Sequence, residues 1–147
     1  MFAPAESWLR LGMLVGDGGQ WNGRRLLPDG YARQMMTGTL QNPYFGLGTF
    51  VAGPYTPRRG YANPATVRNL PPGVLHSEPY LARDLALFDG NSNQVVYIVP
   101  SESLVILRLA RATPRPKDMP EWDNSVLPNV LLRGLSQRAQ HAVQPAG

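Results

Sequence analysis

An α+β domain is the fold class this sequence predicts: an antiparallel sheet of about three to five strands, flanked by an N-terminal and a C-terminal helix. Three observations predict it. From Asp84 to Ala110 the chain reads as three successive strands, Leu85 to Phe88, Val95 to Val99 and Leu104 to Leu109, separated by short polar turns. Before them, Pro4 to Val15 carries the density of apolar residues of a packed helix. After them, Val126, Leu127, Val130, Leu131, Leu132 and Leu135 recur at helical spacing.

The first helix opens at Pro4, where proline suits the initial turn, and Gly16-Asp17-Gly18-Gly19 stops it. Only Glu6, Ser7 and Arg10 within it are polar, so it expects neighbours on more than one side. Trp21-Asn22-Gly23-Arg24 is an Asn-Gly turn, and Pro28-Asp29 opens a short helix through Met36. Asn42-Pro43 breaks the chain. Tyr44 to Ala52 then reads as a further strand, whose Gly46 and Gly48 imply that another backbone or a ligand passes close by. Residues 53–82 hold Pro54, Pro57, Gly60, Pro64, Pro71, Pro72, Gly73 and Pro79, a long connection of the kind that forms a functional rim or a disordered insert. Pro114, Pro116 and Pro120 make a stiff linker. The last helix starts near Ser125, with Pro128 in its first turn, and residues 139–147 form a flexible polar tail behind the domain of residues 1–138.

The second and third strands of the 84–110 stretch are apolar at consecutive positions, the pattern of strands covered above and below. The rest of the chain looks too meagre to cover both faces. The expectation is that Val95 to Leu109 form the middle of a larger slab, with the remainder supplied elsewhere.

The bulk composition narrows the function classes. The 147 residues suffice for one domain, and 16% charged residues is below the usual quarter. Net charge is +4, but the arginines are scattered and Lys117 is the only lysine, so no concentrated basic face points to nucleic acid. The absence of cysteine excludes disulfides, thiolate metal sites and a thiol nucleophile. His76 and His141 stand far apart with no carboxylate cluster at ligand spacing, so no metal or other cofactor is expected. No apolar run approaches membrane-spanning length, no membrane partner is expected, and the N-terminus is not a signal peptide; the compartment stays open.

Several phrases occur in an order that carries a family likeness: Ala3 to Gly12, Trp21 to Pro28, Asn42 to Gly48, and Gly90 to Pro100 followed by Leu104 to Leu109. Over roughly residues 3 to 135 the chain resembles the C-terminal part of the penicillin-recognising serine hydrolases, especially class C β-lactamase-like esterases and 6-aminohexanoate-dimer hydrolases. The resemblance implies a partial β-lactamase-like fold and a parent that hydrolyses a small-molecule ester or amide through an acyl-enzyme. Such enzymes need a Ser-x-x-Lys nucleophile, in which the lysine helps to deprotonate the serine. None of Ser7, Ser77, Ser92, Ser101, Ser103, Ser125 and Ser136 has lysine three residues on, and Pro114 stands three residues before Lys117. The nucleophile motif is absent. Tyr61-Ala62-Asn63 has the look of the family's tyrosine element but follows the Trp8 helix instead of preceding it, so it reads as coincidence.

One element remains. Gly90-Asn91-Ser92-Asn93-Gln94 sits where the esterase-like members carry Gly-x-x-Gly-Gln beside the substrate strand, with Asn93 in place of the second glycine. By resemblance the Asn91 amide, or one beside it, faces an oxyanion; without it, the five residues are a tight polar hairpin turn. Asp84 and Asp89, five apart along a strand, point to opposite faces and make no carboxylate dyad. Tyr55, Tyr61 and Tyr80 line a substrate rim or shield the loop from solvent. Two functional expectations result. One is a C-terminal hydrolase fragment that is inactive without its missing N-terminal half. The other is a non-catalytic binding or structural module, with a homodimer as one form of it.

Overall fold

The structure of the protein is a computed structural model that describes residues 3–53, 55, 75–110 and 122–143. Its centre is a four-stranded antiparallel sheet in the order β3-β4-β5-β6, made of Phe50–Val51, Ala86–Gly90, Gln94–Val99 and Leu104–Arg108. The three strands read from the sequence are therefore present, each within about two residues of its expected ends, as neighbours in one meander. Leu87 pairs with Tyr97 and Tyr97 with Ile106; Phe88 pairs with Val96 and Val96 with Leu107. Paired residues share a face, so the period of two sorts the apolar side chains into two sets.

Each set meets its own cover. On one face Leu87, Val95, Tyr97 and Val99 pack with Leu85, Tyr80, Ala82 and Leu132, and with Leu127 of the C-terminal helix α3 (Val126–Val143). On the other, Val96 and Ile98 pack with Val15 and Trp8 of α1 (Ala5–Gly16) and with Ala32 and Met35 of α2 (Tyr31–Met35). Trp8, Gly12 and Val15 recur on one side of α1. Gly12 lets that helix lie against the sheet, since a Cβ there would come within 2.7 Å of Val105 and 2.9 Å of Val96. Leu11 and Met13 of α1 stay exposed.

For β5, this arrangement corrects the expectation that the chain cannot cover its own sheet. All five residues from Val95 to Val99 are buried, with helices of the same chain on both faces. The underestimate came from reading length instead of geometry: α1 is closely seated because of Gly12, and α3 needs only Leu127 and Leu132 to close the opposite face. β6 differs. Its five residues are all half-buried, and among the described residues no strand pairs with its outer edge.

Other elements differ in detail. Tyr44 to Ala52 is a tight hairpin instead of one strand: Phe45 bridges Phe50, their rings stack edge-on at 4.8 Å, and Gly48 adopts φ +76° at the bend. The backbone expected to pass near its glycines is that of Met35 and Thr37, which lie against Gly46. Asn22 and Gly23 both have positive φ and join β1 (Gln20–Trp21) to β2 (Arg24–Arg25), the primed turn that Asn-Gly favours. α3 continues through Val143, beyond the start of the polar tail assigned from sequence. Within the long connection, residues 75–82 form no helix or strand, and the rest apart from Gly53 and Tyr55 lies outside the described residues. So do the Tyr61-Ala62-Asn63 stretch, Lys117 and the proline linker.

Candidate functional site

Gly90 to Gln94 is the β4–β5 turn. Gly90 pairs with Gln94, closing a three-residue loop in which Ser92 and Asn93 both take left-handed backbone, at φ 61° and 60°. Asparagine and serine are small enough for that region. Gly90 and Gln94 are exposed; Ser92 and Asn93 are half-buried. The structure thus brings the five predicted residues together as a hairpin turn.

What holds the turn was not legible as a site. Arg108, in register with Val95 across β5 and β6, donates a hydrogen bond to the Asn93 carbonyl and lays its guanidinium 3.8 Å over the Trp122 ring. Trp122 Nε1 donates to the Tyr97 hydroxyl at 3.0 Å, and that hydroxyl donates to Asn124 Oδ1 at 2.9 Å. Burial pushes the Tyr97 phenol up to about 12, so it stays a neutral donor at every physiological pH. The turn is therefore tied, through one cation–π contact and three hydrogen bonds, to the start of α3. The one sequence signal for this was a tyrosine in a strand otherwise lined with aliphatics, since a buried phenol needs a partner for its tip.

Serines do stand against carboxylates, and this bears on nucleophilic chemistry. Ser77 and Ser125 hydroxyls both bond Asp123, the second at 2.6 Å, and both residues' amides bond it too, at 3.1 and 3.0 Å. Ser101 bonds Asp84 through its hydroxyl at 2.9 Å and its amide at 2.7 Å. Burial acts to raise the Asp123 carboxyl, but the hydrogen bonds from Ser125 and Ser77 outweigh it and hold the group below its ordinary value of 3.8. A carboxylate so stabilised is a weak general base. These contacts are caps: Asp123 joins residues 76–78 to the start of α3, and Asp84 closes the β5–β6 turn at Pro100–Glu102.

The remaining candidates are structural. His76 is 2% exposed, with its ring 5.0 Å from Tyr80 and 5.6 Å from Tyr55. Tyr80 belongs to the core and Tyr55 donates to the Ser77 carbonyl, while Tyr61 lies outside the described residues. No group of three metal-ligating side chains occurs among the described residues, and no described helix is long and apolar enough to cross a membrane.

The Asp123 clamp has a pH signature. Glu78 is likewise held below its ordinary 4.5, by hydrogen bonds from Asn129 and Arg133. Groups with depressed folded pKa values contribute stability that is complete above the unfolded values and lost as pH falls through the folded ones. Residues 75–80 are therefore expected to loosen from α3 as pH drops below about 4. Urea titrations at successive pH values check this: Asp123→Asn should show a flatter acid limb than the parent chain.

Compared with known proteins, the chain matches no family model, no curated protein and no solved structure.

Proposed function

We propose that this chain is the C-terminal portion of a β-lactamase-like serine hydrolase acting on esters or amides, and that it is not catalytic by itself. The observation that carries the reading is the β4–β5–β6 meander with Gly90–Gln94 at its first turn, followed by the helix that packs back on it, in the order the resemblance requires. In that reading β4 and the turn form one wall of a substrate site and offer a backbone amide to an oxyanion. The nucleophilic serine and its lysine come from a preceding segment, because no Ser-x-x-Lys exists here. The parent reaction is acyl transfer: the serine oxygen bonds to the carbonyl carbon, the alcohol or amine leaves with a proton, and water releases the acid.

A second reading has a specific observation in its favour. β5 is fully covered by this chain's own helices, as befits a module that folds alone and binds or scaffolds without chemistry. Hydrolysis of 4-nitrophenyl acetate tests both. The purified chain should run at the buffer rate, and a rate abolished by a serine-directed phosphonate would overturn both readings. Co-expression with the polypeptide encoded immediately upstream then separates them: phosphonate-sensitive turnover favours the hydrolase portion, and a buffer rate favours the module.

A further inference from the structure

We infer that the outer edge of β6 is a pairing surface for a second copy of this chain, joined antiparallel about a two-fold axis at Ile106. The inference goes with the second reading, a module that folds alone, because a larger slab completed from elsewhere would occupy the same edge.

The two edges of the sheet are unequal. β3 is two residues long, short enough to offer no template. β6 presents five consecutive residues in unbroken register with β5, without proline, lysine or a bulge, and among the described residues nothing pairs with its outer side. An open strand edge specifies its occupant more closely than an apolar face does, because its backbone groups need an extended chain to satisfy them.

Register and charge select a second copy. Centred on Ile106, an antiparallel pair sets Leu104 opposite the partner's Arg108 and Val105 opposite the partner's Leu107, using all five residues twice. Arg108 is the strand's one charge, and its bond to the Asn93 carbonyl draws it back across β5, away from the open edge. Antiparallel pairing keeps the two Arg108 side chains roughly 13 Å apart along the ladder; parallel pairing would set them side by side. The ends of the strand also fit. Leu109 is 58% exposed, and this register places it over the partner's Ser103. Ser103, Leu104, Val105, Met13 and Trp21 line a cavity of about 350 Å³ at that point, into which Leu109 would project. Each copy thus supplies one apolar projection and one recess.

Analytical ultracentrifugation of the chain over a wide concentration range is the test, with two variants. The parent should be a monomer–dimer system. Leu109→Glu, at an exposed position that leaves folding intact by circular dichroism, should weaken the dimer about tenfold or more. Ile106→Cys, the only cysteine in such a chain, should form an intermolecular disulfide under mild oxidation, because the two side chains oppose each other across the axis. A monomer at all concentrations, or open-ended assembly, overturns the inference. So does a dimer indifferent to Leu109→Glu, or one lost on Val130→Glu, since that would place the contact on the exposed apolar side of α3.

Discussion

Gly46→Ala should lower the stability of this chain by about 3 kcal/mol, among the largest effects available from adding one methyl group. Gly46 does not need glycine for its backbone angles; it needs it for space. A Cβ there would overlap the Met35 carbonyl and lie 2.8 Å from the Thr37 oxygen. Both neighbours are backbone at the end of α2, so no side-chain rotation relieves the contact. The same Met35 carbonyl accepts a 2.7 Å hydrogen bond from the fully buried Thr49 hydroxyl, and the Gly46 amide bonds Thr49 O at 2.9 Å. Moving one strand of this small hairpin therefore breaks its attachment to α2 as well. Gly48→Ala is the control: it has φ +76° but open space around its Cβ, so only the left-handed backbone penalty of about 1 to 2 kcal/mol applies. Urea midpoints should rank the parent above Gly48→Ala, and Gly48→Ala above Gly46→Ala. The reverse order would show that α2 and the hairpin are not in contact as described.

Asn129→Ala is expected to cost about 3 kcal/mol for a different reason. Asn129 is fully buried in a helix otherwise rich in leucine and valine, and its amide works in both directions. Its oxygen accepts from the Leu81 amide at 2.9 Å. Its nitrogen donates to Glu78 Oε1 and to Pro79 O, each at 2.9 Å. Alanine leaves the part-buried Leu81 amide and Pro79 carbonyl without this partner, and each such loss costs about 1 to 3 kcal/mol. Asn129→Asp, nearly the same shape, should fare no better, because it replaces the two donated hydrogens with a charged acceptor facing Glu78. Arg133→Ala removes only a half-exposed ion pair to Glu78 and should change stability by less than about 1 kcal/mol. Chemical denaturation gives the ranking, and faster hydrogen exchange at the Leu81 amide identifies the mechanism. An Asn129→Ala chain as stable as the parent would mean that the 78–81 segment is not held by α3.

Local pattern carried the strands and helices because it depends on neighbours in the chain. Consecutive β-branched and aromatic residues at Val95 to Val99, the Asn22-Gly23 turn and the apolar repeat from Val126 to Leu135 each reflect a backbone preference written within a few residues. The Gly90–Gln94 turn was legible on the same grounds, as a position between two strands. Its anchoring was not, since Arg108, Trp122 and Asn124 reach it from other elements. Tyr44 to Ala52 misled for the same reason: alternation alone cannot distinguish one strand from a hairpin bent at Gly48.

By itself the sequence determined the order and kind of the elements, the missing Ser-x-x-Lys nucleophile and the lack of any thiol chemistry. Only the tertiary structure decided that α1 and α3 cover both faces of β5, that Ser101 bonds Asp84 while Ser77 and Ser125 bond Asp123, and that among the described residues β6 has no strand on its outer edge. The physical reason is that burial depends on how closely elements approach. Here that approach is set by Gly12 against Val105 and by Leu132 against the sheet, contacts between residues far apart in the chain.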